Sequence, residues 1–342
     1  MSSQNLAKAA LFMLILVAAG VLSWEYFWRS KGFTIAYNDD EALWMKNRVK
    51  AYEPQDKATV VIGSSRIEFD LDIPTCEKTT GEKVVQLALH GSNPRPALVN
   101  LSNDENFKGK LVVDVTEGLF FGTWEDEGMT KRVKYLKDAT PANRVSDKIG
   151  FALESQFVFL DKELFSLNAL LADLRIPNRQ GIRPEGIFPK MFAYDNFERQ
   201  EIMRDQFAKD TAMQRQVTDL WTMWGALSKD HGIGGDTLQK IFDEVKTAVD
   251  KIKARGGKVI FTRTPSSGGY WENEPIQFPR AEYWDKILST TNCKGIHFKD
   301  YPDMAGFICP EWSHLTKPDA VLYTQALIKA LEKENWFTQT SR

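Results

Sequence analysis

Short, uniformly apolar runs that stop at glycine or polar loops alternate along this chain with longer stretches whose apolar residues recur every three or four positions. Ala58-Thr59-Val60-Val61-Ile62 stops at Gly63-Ser64-Ser65, and Val84-Val85-Gln86-Leu87-Ala88-Leu89 stops at His90-Gly91-Ser92-Asn93-Pro94. Leu111-Val112-Val113-Asp114-Val115 runs into Thr116-Glu117-Gly118, and Lys258-Val259-Ile260-Phe261-Thr262 into Arg263-Thr264-Pro265. Strands without a polar face belong to a parallel sheet covered on both sides, so the pattern predicts an α/β fold. The clearest helix precedes the fourth run. Asp236 is its expected cap, Leu238, Ile241, Phe242, Val245, Val249 and Ile252 form its apolar face, and Gly256-Gly257 ends it. A last helix begins at Lys317-Pro318 with Ala320, Tyr323, Leu327 and Leu331 on one side.

Two regions break the alternation. Residues 31–57 mix aromatics, Asp and Lys without a period and read as a lead-in. Residues 122–235 are too long for a simple connection and read as a helical insertion that covers a pocket or docks a partner. Within it, 151–174 and 197–228 have helical spacing, with Phe207, Val217, Leu220, Trp221 and Trp224 either lining such a pocket or forming the insertion's own core. The main domain is expected to run from 58 to 342.

The N-terminus changes the picture. From Ala9 to Trp24 the chain is uncharged, and Trp24, Tyr26, Phe27 and Trp28 extend it into aromatics of the kind that sit at a membrane interface. Residues 1–30 are expected to form a membrane anchor. A signal peptide cleaved near Val17-Ala18-Ala19-Gly20 and a buried soluble helix are the alternatives. An anchor this short usually leaves the following domain translocated, which places residues from about 30 onward outside the cytoplasm, in the periplasm or beyond the cell, tethered to the inner membrane.

Composition narrows the class. The chain has 44 Lys+Arg against 46 Asp+Glu, a net charge of -2, so no positive field exists to hold nucleic acid. Three cysteines cannot build a disulfide scaffold. Cys293 and Cys309 flank a strand and loop and are a candidate pair in an oxidising space, with three free cysteines the alternative. No Walker loop or Gly-x-Gly-x-x-Gly follows any strand.

Functional groups of parallel sheets collect at the carboxyl ends of the strands. Ser65 stands at the first such turn, where a helix N-terminus favours developing negative charge. A serine nucleophile needs a base, and the chain has four histidines. His314 lies in Glu311-Trp312-Ser313-His314 just ahead of the last helix, and Glu311, three residues earlier, can orient its ring. Arg66 either holds a substrate carboxylate or pairs with Asp70 or Asp72. His90 either lines the pocket or satisfies a backbone carbonyl. His231 and His297 have no partners at ligand spacing, so no zinc site is expected. Tyr270, Trp271, Tyr283 and Trp284, with Arg280 among them, either stack on sugar rings or pack internally.

Together these blocks resemble the SGNH/GDSL hydrolase superfamily. Gly63-Ser64-Ser65-Arg66 matches its first block with Ser64 in place of Asp, Gly91 matches the oxyanion glycine of the second, and Glu311-Trp312-Ser313-His314 matches the fifth with Glu in place of Asp. The resemblance covers about 58–118 and 258–331. It implies a flavodoxin-like three-layer α/β/α domain with a Ser65-His314-Glu311 triad, an oxyanion hole from the Ser65 and Gly91 N–H groups helped by Asn93 or Arg263, and Arg66, His90 and Arg263 around the substrate. The third block departs: Val115-Thr116-Glu117-Gly118 lacks the family's asparagine. With one anchor and a Gly-Ser-Ser-Arg block, the chain looks like exported proteins that work beside membrane-bound O-acyltransferases in polysaccharide acetylation, including relatives of the alginate O-acetylation proteins. The expected activity is an O-acetyltransferase or acetylesterase acting on an exported glycan without metal or organic cofactor. The alternative is a non-catalytic module that binds a glycan or a membrane acyltransferase.

Overall fold

In the computed structural model, residues 3–124, 127–172, 188–227 and 233–337 are described. The chain divides into two compact units, residues 1–38 with 140–185, and residues 39–139 with 186–342.

The larger unit is built on five parallel strands: β1 (Ala58–Ile62), β2 (Lys83–Gln86), β3 (Lys110–Asp114), then β6 (Lys258–Arg263) and β7 (Lys294–His297). A small antiparallel pair, β4 (Ala193–Asp195) and β5 (Glu201–Met203), stands apart from them. The main sheet has the order β2-β1-β3-β6-β7 with every neighbour parallel. Alternate residues of each strand feed opposite faces. Val60, Ile62, Val85, Leu111, Val113 and Phe261 pack beneath the helices Arg95–Asn103 and Gly235–Ala254, forming one core. Val61, Val84, Val112, Ile260 and Ile296 pack beneath Ile73–Thr80 and Lys317–Lys333, forming the other. The α/β expectation therefore holds as a helix-covered parallel sheet. The chain winds outward in both directions from β1 and β3, which puts the crevice of the sheet at the carboxyl ends of those two strands.

Several expectations need correction. Helix Gly235–Ala254 is flanked by Gly234, and Asp236 sits inside its first turn rather than capping it. The supposed lead-in contains the helix Glu41–Arg48, capped by Asp40, with six of its eight residues buried, Trp44 among them. Burial on all sides removes the stripe that would have revealed it. Part of the 197–228 stretch forms β5, and helix Thr211–Leu227 supplies Val217 to a third core with Phe69, Phe192, Met203 and Phe207. All three cysteines are free. Cys293 packs against the core on one face of the sheet and Cys309 belongs to the core on the other, so the sheet itself separates the expected pair.

The smaller unit contains the helix Ser3–Ser30 and, from the insertion, the helices Pro141–Glu154 and Leu167–Ala172. Residues Gln4–Ser30 are long and apolar enough to cross a membrane, with a mean hydropathy of 2.2 and none of that window buried, which removes the buried-helix alternative.

Candidate active site

The first turn depends on a close approach. Gly63 follows β1 directly, and a Cβ there would lie 2.5 Å from Ile67 Cγ2 and 2.7 Å from Asp114 Cβ. Its absence lets the chain turn straight from β1 into the helix Ser65–Asp70, leaving Ser65 half-buried on that helix's first turn. Ser64 Oγ lies 2.7 Å from Thr116 Oγ1, joining the turns after β1 and β3. Leu89 N donates to Gly63 O at 3.2 Å and ties in the turn after β2, in which Gly91 has φ +61°.

The loop 309–316 meets this turn from the other end of the chain. His314 Nε2 is 2.8 Å from Ser65 Oγ, and His314 Nδ1 is 2.9 Å from Glu311 Oε1. A carboxylate can only accept, so Nδ1 carries the proton and Nε2 accepts from the Ser65 hydroxyl. Glu311 is fully buried, and its carboxylate also accepts from His314 N at 2.7 Å and from Trp221 Nε1 at 2.8 Å. The imidazole stacks on Phe69 at 4.2 Å between centroids. Ser65, Glu311 and His314 are thus brought together, 249 residues apart at their widest.

Three anchors hold the loop. Leu315 N donates to Asp70 Oδ1 at 3.0 Å, Cys309 N to Ser267 Oγ at 2.8 Å, and Ser267 N to Trp312 O at 2.9 Å. Between Glu311 and His314 the backbone takes a left-handed conformation at Trp312, φ +79°, costly for a bulky residue. The Trp312 ring lies against Gly268 and Gly269, where a Cβ would come within 2.4 Å and 2.9 Å of it. Strain of this kind gathers at sites whose geometry the surroundings enforce.

No family model matches the chain, and no curated protein does. Among solved structures, tagatose-6-phosphate ketose/aldose isomerase from Escherichia coli aligns at 11% identity over 86% of this chain and 91% of that one, with a TM-score of 0.15, too low to carry an argument.

The remaining expected residues divide. Arg66 is 2% exposed and pairs with Glu274 at 2.5 Å, not with Asp70 or Asp72, while its Nε donates to Ser313 Oγ at 3.3 Å. Arg263 donates from all five of its N–H groups, to Glu117, Thr264 O, Ser266 and Glu274, so nothing is left for a substrate or an oxyanion. Burial opposes ionisation of Glu274, but the Arg263 and Arg66 guanidinium groups outweigh it and hold its carboxyl down at about 2. Asn93 donates to Gly122 O and accepts from Arg95 N, so its side chain serves its own turn. The turn after β3 offers Glu117, committed to Arg263. Of the expected oxyanion donors, the Asn93 and Arg263 side chains are committed elsewhere, and the backbone N–H groups of Ser65 and Gly91 remain as expectations.

His90 is exposed on the rim of a cleft of about 280 Å³ shared with Gly91, Ser92, Trp124 and Arg132. Glu68, His90 and Glu201 bring ligand-type atoms within 4.8 Å of one another, but the buried Arg199 guanidinium lies 3.4 Å from Glu68, so a positive group already stands there. His231 lies outside the described residues. The aromatic set is dispersed: Tyr283 and Trp284 are core, Trp271 packs on Phe298, and Tyr270 faces Trp221 and Arg66. The sequence marks Trp221 only as a pocket-lining or core aromatic and Asp70 only as a partner for Arg66; their bonds to Glu311 and to Leu315 N cross 90 and 245 residues, which no local pattern signals.

Proposed function

We propose that this chain is a membrane-anchored, SGNH-type acyl-ester enzyme with a serine nucleophile, acting as an O-acetyltransferase or acetylesterase on an exported glycan. The observation that carries the reading is the unbroken hydrogen-bonded series from Ser65 through His314 to Glu311. Ser65 Oγ attacks the acyl carbonyl carbon while its proton passes to His314 Nε2. The carbonyl electrons move onto oxygen, where the Ser65 and Gly91 N–H groups receive them. Collapse breaks the bond to the leaving alkoxide, which takes the proton back from His314. Water or a sugar hydroxyl then attacks the acyl-serine by the same steps in reverse. Glu311 holds the ring and stabilises the imidazolium.

The parallel sheet with its catalytic turns after the first, second and last strands supports the SGNH assignment. The apolar first helix supports an inner-membrane tether with the larger unit in the periplasm or outside the cell. A membrane-bound O-acyltransferase is the partner this reading favours as acyl source.

A second reading, a non-catalytic module that binds a glycan or such an acyltransferase, is favoured by one observation. Glu117 fills the turn after β3 and is spent on Arg263, and Asn93 and Arg263 are spent elsewhere, so the oxyanion site is sparse. One missing donor of this type costs about 10²- to 10³-fold in rate. A fluorophosphonate probe on the detergent-solubilised full chain separates the two. Labelling that disappears in Ser65→Ala and falls sharply in His314→Ala is the expected result. A folded wild type that never labels would mean a binding module.

A further inference from the structure

The smaller unit carries an apolar face that its own packing does not use. In helix Pro141–Glu154, at 100° per residue, Ala142, Val145, Ile149, Ala152 and Leu153 fall within one stripe, and none of the helix's residues is buried. Val145, Ile149 and Leu153 are 57%, 57% and 52% exposed. The helix is fastened by its other side: Phe151 packs on Tyr37 at 5.3 Å, and Glu154 pairs with Lys162 at 2.9 Å. The stripe is thus turned outward, the reverse of what a water-facing helix requires. Leu167, Leu170 and Leu171 of the next helix are 71%, 52% and 46% exposed.

Where this face sits along the chain's apolar helix identifies what covers it. Glu25, the first charge after the uncharged run, accepts hydrogen bonds from Val158 N and Phe159 N, and Arg29 donates to Gln156 O. Phe165 packs on Trp28 and Phe33 at 4.4 and 5.5 Å. The carboxyl end of helix Pro141–Glu154 is therefore tied to the end of the span, at the level of the exposed Trp24, Tyr26 and Phe27, where a bilayer has its headgroup boundary. A carboxylate at that depth is met by three backbone and side-chain donors, which fixes the height of the attached segment. We propose that residues 140–172 form a collar that lies in the lipid interface, with the stripe Val145, Ile149 and Leu153 dipped into the headgroup and acyl boundary beside the anchor. The collar holds the unit at the bilayer surface rather than leaving it on a free tether. This rests on reading Gln4–Ser30 as a membrane span and is independent of the Ser65 chemistry.

The test uses the full chain at one copy per phosphatidylcholine nanodisc, in a Cys293→Ser background that leaves only buried thiols. A fluorophore is attached at Val145→Cys, Ile149→Cys, Leu153→Cys, at Arg144→Cys on the opposite side, and at Leu14→Cys in the span. Headgroup and shallow-chain spin-labelled lipids should quench the three stripe labels at least about twofold more than the Arg144→Cys label, and iodide should do the opposite. Stripe labels as open to iodide as the control would overturn the collar, as would labels shielded from iodide yet untouched by the lipids, which would mean a protein cover. Deep-chain quenching at Leu14→Cys reports the span separately. Its absence would remove the anchor reading and the collar with it, whereas its presence with an unquenched stripe would remove the collar alone.

Discussion

At the residue scale, the site is a set of buried groups each with one task. Trp221 occupies the Glu311 oxygen that His314 does not use. Trp221→Phe leaves that oxygen buried without a donor, so steady-state hydrolysis of p-nitrophenyl acetate is expected to show a lower kcat, by about 5- to 150-fold for a loss in the 1–3 kcal/mol range, with KM little changed. An unchanged kcat would reduce Trp221 to packing. Asp114, fully buried at the end of β3, has its carboxyl pushed up to about 6 by burial, against the pull of Arg66 and Arg263. Its ordinary value is 3.8, so the folded chain holds a proton that the unfolded chain has already lost. Stability from this group is present below about pH 4, declines as pH rises to about 6, and is gone above it, a difference of about 3 kcal/mol. Asp114→Asn keeps an acceptor for Thr262 and Thr264. The melting temperature of Asp114→Asn relative to wild type should therefore rise between pH 4.5 and pH 7, and a pH-independent difference would contradict the assignment.

At the scale of elements, the triad exists because two loops are stapled to one another. The helix Ser65–Asp70 presents the hydroxyl at its start and, through Asp70, grips the loop carrying His314 at its end. The left-handed Trp312 makes Glu311 and His314 face each other, and Gly268 with Gly269 gives its ring room. Gly268→Ala would add a Cβ 2.4 Å from that ring at a φ of +47°. Probe labelling of Ser65 should fall by about 10²-fold in this variant while the circular dichroism of the sheet and helices stays, since small misplacements of reacting groups cost that much. Retained labelling would show that the loop is held without the Trp312 packing. Legibility followed the same division. Four strands and the helices Gly235–Ala254 and Lys317–Lys333 were plain in the periodicity because each buries a single face or both. Strand β7, Lys294-Gly295-Ile296-His297, shows only as the strand between Cys293 and Cys309, because it lacks the apolar run that marks the other four, and the helix Glu41–Arg48 is buried too completely to show a stripe.

For the molecule as a whole, the helix Gln4–Ser30 is long and apolar enough to cross a membrane. If Gln4–Ser30 spans a bilayer, the full chain should resist carbonate extraction, and Leu14→Lys with Leu16→Lys should release it into the soluble fraction, since each central lysine costs about 3 kcal/mol on insertion. Retention of the double variant would mean that another surface holds the protein. The sequence by itself determined the apolar first segment, the parallel sheet and the residues Ser65, Glu311 and His314, because burial and turn chemistry are written locally in residue type and spacing. Only the tertiary structure decided that Arg66 faces Glu274, that all donors of Arg263 are used, that Trp221 completes the Glu311 shell and that the cysteines stay apart. Those are pairings between residues far apart in the chain, chosen by which charges and donors the fold leaves without water, and no local pattern encodes that choice.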